Sequence, residues 1–169
     1  MQIFQKTKSL HKLKKSDLLI LQVAALLHDI GRFVNGREHH KHSEYLIANA
    51  SLPGLTAQQL NMAAVVARNH RRFGVKYGET LKANFTNRDR LKIKKLSAIL
   101  RLANALDLGH DANRTSIRIK YQSGKNRILF EIYDQRELIL EEWGFNQAKV
   151  LFESLFSVFC QWIVKDENK

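Results

Sequence analysis

The sequence predicts a mainly α fold, a helical bundle over residues 1–110 followed by a small antiparallel β-hairpin or sheet and a C-terminal helix over residues 111–169. Three observations carry that expectation. Apolar residues recur at helical spacing as far as Leu108, and after Gly109 the texture changes to polar–apolar alternation. The charge changes at the same place. Residues 1–110 hold 19 Lys/Arg against 7 Asp/Glu, whereas residues 111–169 hold 9 of each, so the whole net charge of +12 belongs to the first part.

Taken in order, the first strong element runs from Ser16, a plausible N-cap, to His28, and it is apolar almost all round, which predicts a central buried helix. Gly31 and Gly36 punctuate the chain, and a shorter helix is expected over His42–Ala50, ended by Pro53-Gly54. Thr56-Ala57-Gln58-Gln59 is a capping-box pattern opening a helix that carries Ala63, Val66, Ala67 and His70 on one face. A loop with Gly74 and Gly78 follows, then a long helix from about Arg88 to Leu108 with Leu96, Ile99, Leu100, Ala103 and Leu106 as its stripe. Ser116–Tyr121 and Arg127–Tyr133 alternate as paired strands about a Ser123–Asn126 turn, and Leu138-Ile139-Leu140 is a candidate third strand. The final helix is expected over about Asn146–Val164. Its Phe152, Phe156, Phe159 and Trp162 would cover either the bundle or a second subunit.

Composition excludes several classes. The chain is neither disordered nor collagenous, no apolar run is long enough to span a bilayer, and the opening residues lack the apolar core of a signal peptide. The single cysteine, Cys160, rules out an internal disulfide framework and fits the reducing cytoplasm; its apolar setting predicts buried filler. A basic field of this size suits polyanions, although charge alone equally fits a solvated face. For nucleic acid the sequence offers charge but neither a reader helix nor an aromatic stacking platform.

The chemistry concentrates in histidine. Six of the seven histidines precede residue 71, and His28-Asp29 sits where the apolar helix ends. A charged carboxylate beside a buried imidazole calls for compensation, which a metal supplies; a capped helix end with a packed His reads equally well from the dipeptide alone. Imidazole with carboxylate suits Mn, Fe, Co, Ni or Zn, and Mg less well. The order His28-Asp29, His42, His70, then Asn104 and Asp107 resembles the HD superfamily of metal-dependent phosphohydrolases. The match to the C-terminal HD-like domain of the Ppx/GppA family is closer. It rests on Ala24–Phe33, His39–Ser43, Tyr45–Ile47, Ala67–Arg71, Leu100–Asp107 and Glu142-Trp143.

The resemblance implies a binding and dimer-forming extension whose basic residues line a passage for a phosphate chain. Hydrolysis in that family belongs to actin-like domains whose glycine-rich loops are absent from these 169 residues. It implies His28, Asp29, His42, His70 and Asn104 as a degenerate metal set. Two departures weaken that set. The first-ligand histidine has no counterpart but His11, expected on a surface or loop, and Ala103-Asn104 stands where HD enzymes have Ala-Asp. An amide oxygen is the weaker donor. For polyphosphate or guanosine penta- or tetraphosphate the expected contacts are Arg32, Arg37, Lys41, Arg68, Arg71, Arg72 and Arg101. Arg68, Arg71 and Arg72 would share a helical edge if the helix continued past His70. The function expected is polyanion binding and assembly without catalysis. The alternative is a stand-alone metal-dependent phosphohydrolase acting on a nucleotide or phosphorylated alarmone.

Overall fold

Capping boxes open the helices that begin at Lys15 and Ala57. The computed structural model describes residues 1–71, 85–107, 116–134 and 137–165. In chain order the elements are α1 (Gln2–Lys6), α2 (Lys8–His11), α3 (Lys15–Leu27), a 3-10 turn (Ile30–Phe33), α4 (His39–Ala48), α5 (Ala57–Arg68), α6 (Asn87–Ala105), β1 (Ile117–Gln122), β2 (Arg127–Tyr133), α7 (Ile139–Phe156) and β3 (Phe159–Lys165). The fold is mainly α with a small sheet, as expected. Two compact units result, Leu13–Arg101 on the one hand and Met1–Lys12 with Leu102–Lys169 on the other. The Gly74 and Gly78 loop and Arg72 lie outside the described residues.

In the unit Leu13–Arg101 the central helix is α5. Ala63, Ala64, Val65, Val66 and Ala67 are all fully buried, and both α3 and α4 pack on α5. Small side chains let neighbouring helices approach from several sides, which explains why α5 takes the place predicted for α3. α3 buries Ile20, Leu21, Val23 and Ala24 but leaves Leu26 82% exposed. Its N-cap is Lys14 rather than Ser16: Asp17 accepts the Lys14 backbone N–H at 2.8 Å and also pairs with Lys92 Nζ of α6 at 2.8 Å. The Thr56–Gln59 capping box forms as predicted, with Gln59 N–H donating to Thr56 Oγ1 and Thr56 N–H donating to Gln59 Oε1. α5 ends at Arg68, so Arg71 does not continue its helical edge. Arg68 reaches the buried Glu44 of α4 instead, an ion pair that ties the two helices together.

The other unit differs from the sequence expectation in two ways. Leu138-Ile139-Leu140 is no strand but leads into α7, and the residues from Phe159 onward form β3 instead of extending a helix to Val164. The sheet is therefore mixed, in the order β1-β2-β3: β1 and β2 pair antiparallel, whereas β3 lies parallel to β2 with Phe130 opposite Trp162. Parallel neighbours need a crossover, and α7 is that crossover. Ser157, in the left-handed region at φ 51°, stops the helix. Phe156, Phe159 and Ile163 have spacings that suit either element, and Ser157 decides between them.

The inner face of the sheet, Ile119, Ile128, Phe130, Ile132 and Cys160, is buried, and Phe145 of α7 packs between Phe130 at 4.9 Å and Trp162 at 5.3 Å. Phe152 is also fully buried, but Phe159 is 72% exposed, contrary to its expected covering role. His11, expected on a surface or loop, is buried at the end of α2, bonded to Phe4 O at 2.8 Å and packed at a tilt against the Phe4 ring. Ile3 and Phe4 of α1 are buried as well, and α1 packs on β1 in addition to α2.

Candidate functional site

The end of α3 places His28 as its C-cap, and Asp29 follows as the N-cap of the 3-10 turn. That turn lies against the start of α4 at very short range. A Cβ on Gly31 would meet His39 O at 2.1 Å and Ser43 N at 2.4 Å, so only glycine permits the approach. Ser43 fastens it: its Oγ accepts the Gly31 N–H at 2.9 Å and donates to His28 O at 2.6 Å. Glu38, in the left-handed region at φ 58°, turns the chain into α4. His39, the first residue of α4, is thereby brought to Asp29. From the far side comes His70, just past α5, whose Asn69 carbonyl accepts the buried Arg101 Nε–H at 2.7 Å.

Each of three imidazoles uses Nδ1 in the same way. His28 Nδ1 donates to Ala25 O at 2.7 Å, His39 Nδ1 to Gly36 O at 3.1 Å, and His70 Nδ1 to Ala67 O at 2.7 Å. A carbonyl accepts and never donates, so these contacts put a proton on each Nδ1, and Nε2 is the ring atom left to face the cluster. The three Nε2 atoms converge on Asp29 Oδ1, at 3.9 Å from His28, 3.1 Å from His39 and 3.5 Å from His70. His39 Nε2 and His70 Nε2 stand 3.4 Å apart. His28 Nε2 and Asp29 Oδ1 are buried without a hydrogen-bond partner.

The electrostatics sharpen that picture. Burial pushes the His70 imidazole down to about 4, so it is neutral at physiological pH. Burial raises the Asp29 carboxyl, but the Arg32 hydrogen bond and the nearby His28 and Arg32 charges outweigh it and hold the group below its ordinary 3.8. Arg32 Nε occupies Asp29 Oδ2 at 2.7 Å, which leaves Oδ1 to the imidazoles. A carboxylate oxygen with three ring nitrogens turned towards it is a donor set that a divalent cation of the Mn, Fe, Co, Ni or Zn kind would satisfy as a whole. Hydrogen bonds from the distal ring nitrogens to backbone carbonyls are the usual support for such ligands. The residues fit a metal.

Of the residues singled out in the sequence, His28, Asp29 and His70 come together; among the described residues their ligand atoms all lie within 4.8 Å of one another. His42 does not join them. It is half-buried on α4, where its Cβ would crowd any side chain at Gly31. The place beside Asp29 and His70 is taken by His39, which the sequence reading passed over. On a helix His40 lies about 100° from His39 on one side and His42 about 60° from it on the other, so pattern alone leaves His39 and His42 on neighbouring faces and the start of the helix selects between them. Asn104 is half-buried near the end of α6 and belongs to the other compact unit.

The basic residues divide into two groups. Arg68 is committed to Glu44. Arg101 is buried against the Asn69 carbonyl, and burial pushes its pKa down to about 10. Arg32, Arg37, Lys41 and Arg71 are exposed, with Arg32 bonded to Asp29 and Lys41 to Glu38. Cys160 is buried, and desolvation raises its thiol to about 12, as befits filler. No helix among the described residues is long and apolar enough to cross a membrane.

The guanosine-5'-triphosphate,3'-diphosphate pyrophosphatase of Pseudoalteromonas translucida (strain TAC 125) is 35% identical over 54 residues, a stretch that makes up 32% of this chain and 11% of that relative. The chain therefore matches only a small part of that curated relative. The sequence model of the family described as Ppx/GppA phosphatase, domain III, matches residues 1–149, nearly the whole chain, and on that match the protein belongs to the Ppx/GppA domain III family.

Proposed function

We propose that this chain is the phosphate-polyanion-binding part of a Ppx/GppA-type hydrolase, taking polyphosphate or guanosine penta- or tetraphosphate on the unit that holds the imidazole cluster. The observation that carries this is the exposed cationic rim at the cluster. Arg32, Arg37 and Lys41 come from the single stretch between Asp29 and the first turn of α4, and Arg71 follows His70 directly. Guanidinium forks bind phosphate oxygens in pairs, and a row of them suits a repeating phosphate chain. Arg68 and Arg101 then serve as scaffold, holding α4 and the His70 turn in place. In this reading hydrolysis belongs to actin-like domains outside this sequence, assembly is as a homodimer, and the setting is the cytoplasm.

The converging imidazoles favour a second reading, a metal-dependent phosphohydrolase acting on a nucleotide or phosphorylated alarmone. His28, Asp29, His39 and His70 would hold the ion, which when bound supplies Lewis acidity and an activated water. Arg32 orients Asp29, and the Nδ1 bonds fix the rings.

Elemental analysis of protein purified without chelator, together with phosphate release and binding assays on polyphosphate and guanosine pentaphosphate, separates the two. Salt-sensitive binding without phosphate release, weakened by Arg37→Ala and Arg71→Ala, supports the first reading. Stoichiometric metal with release abolished by His28→Ala and by His39→Ala overturns it in favour of the second.

A further inference from the structure

The outer face of the sheet presents a surface that the foregoing function leaves unused. Side chains alternate across a strand, so the register puts Arg118 and Lys120 of β1, Arg127, Glu131 and Tyr133 of β2, and Phe159, Gln161 and Lys165 of β3 on the face opposite the Phe145 core. Arg118, Lys120, Phe159, Gln161 and Lys165 are exposed there. Glu131 is the one carboxylate on this face among the described residues, and both lysines lie over it, Lys120 Nζ at 2.9 Å and Lys165 Nζ at 3.0 Å. The two arginines have neutral partners. Arg127 donates to Gln122 at 2.6 Å and to Gln161 at 3.4 Å, and Arg118 stacks 5.5 Å above the Tyr133 ring. The face thus keeps a net positive charge. Phe159, 72% exposed, stands directly opposite Arg127 in the pairing register.

We propose that this face binds single-stranded nucleic acid, with a base stacked on Phe159 and the adjacent phosphates held by Arg127, Arg118 and the paired lysines. Charge complementarity alone would admit any polyanion, including inorganic polyphosphate. The exposed ring is what favours a nucleic acid. An isolated exposed phenylalanine has no special meaning, but one set among cations on an open sheet face offers a base both a π-face and a neighbouring phosphate contact. Tyr133 lies at the other end of β2 from Arg127, about 20 Å away at strand rise, so the surface is several nucleotides long. The site depends on β3 being a strand, because a helix through Phe159–Lys165 would scatter these side chains.

The test is fluorescence anisotropy on the full chain with a short labelled oligouridylate at low and moderate salt, with unlabelled polyphosphate of equal charge as competitor. The variants are Phe159→Ala and Arg127→Gln, both at solvent-facing or partly exposed positions, with circular dichroism to check folding. Oligouridylate binding that falls about fivefold or more in Phe159→Ala, while polyphosphate binding by the same variant is unchanged, supports the proposal. Arg127→Gln should weaken oligouridylate binding and reduce its salt slope by about one counterion. Absence of oligouridylate binding at low salt overturns the proposal. So does binding that Phe159→Ala leaves untouched while polyphosphate competes on equal terms, which would mark a general polyanion surface.

Discussion

Gly31 is the position where a single carbon atom tests the architecture of the imidazole cluster. In Gly31→Ala the new methyl would lie 2.1 Å from His39 O, 2.4 Å from Ser43 N and 2.8 Å from His42 Cβ, and two of these are backbone atoms that cannot rotate away. α4 must therefore back off from the turn. Overpacking of this kind costs about 1–3 kcal/mol. Moving α4 also strains the two Ser43 hydrogen bonds at 2.9 and 2.6 Å, each contributing about 1 kcal/mol. The sum, about 3–5 kcal/mol, corresponds to a loss of roughly 2–4 °C in Tm per kcal/mol for a chain of this size. Gly36→Ala is the control, because a Cβ there meets nothing within 4 Å; it should stay within about 0.5 kcal/mol of the parent. Urea and thermal unfolding report stability, and cobalt(II) absorption reports whether His39 still converges with Asp29 and His70. If Gly31→Ala unfolded at the same urea concentration as Gly36→Ala, the close packing argued for the turn and α4 would be wrong.

Other consequences are open to equally direct measurement. Arg68→Ala removes a charged partner of the buried Glu44 carboxylate and should destabilise by about 1.5–3 kcal/mol, with part of the loss recovered on adding Glu44→Gln; urea denaturation of the single and double variants checks this. His70 has its pKa lowered by burial from 6.5 to about 4, so the unfolded chain binds a proton that the folded chain refuses. The metal-free protein should therefore keep this contribution above pH 6.5 and lose it progressively as pH falls from 6.5 towards 4. An NMR titration in which the His70 ring protonated near 6.5 would contradict it. Glu131 acts in a lower window: Lys120 and Lys165 hold its carboxyl below the ordinary 4.5, so its contribution persists above 4.5 and fades as pH drops through the lowered value. Lys120→Gln with Lys165→Gln should move that acid limb of the unfolding profile upward. Cys160, with its thiol raised to about 12, should resist thiol reagents until the protein is unfolded, as a timed reaction with a disulfide reagent would reveal.

Much of this was legible in the residues. The Thr56–Gln59 box, the buried face of Ala63, Val66, Ala67 and His70, the hairpin at Ser123–Asn126 and the grouping of His28-Asp29 with His70 all follow from local patterns, and local patterns are what a sequence displays. Other features depended on single backbone choices. The selection of His39 over His42 turns on Glu38 adopting φ 58° and on Gly31 admitting α4 at close range. The fate of Phe159 turns on Ser157 stopping α7, without which the apolar spacing reads smoothly as helix. Arg68 and Arg101 looked like ligand-binding cations because nothing in the sequence reveals that Glu44 and the Asn69 carbonyl wait for them inside. A break in charge along the chain likewise cannot show that the first twelve residues pack with its last third.

The placement of β3 beside β2 has a consequence for the order in which the chain organises itself. The β1–β2 pairing closes over a four-residue turn and can form early, whereas β3 must wait for the whole of α7 to fold between them. Until it arrives, β2 presents a free edge along Ile128-Leu129-Phe130-Glu131-Ile132, in which Glu131 is the single charge in an otherwise apolar run. Such an edge recruits other chains as readily as its proper neighbour. The lysines of β1 and β3 that later cover Glu131 are, before docking, separated from it or only half assembled. Loss or delayed docking of the last strand should therefore appear first as self-association during refolding, not as reduced helix content.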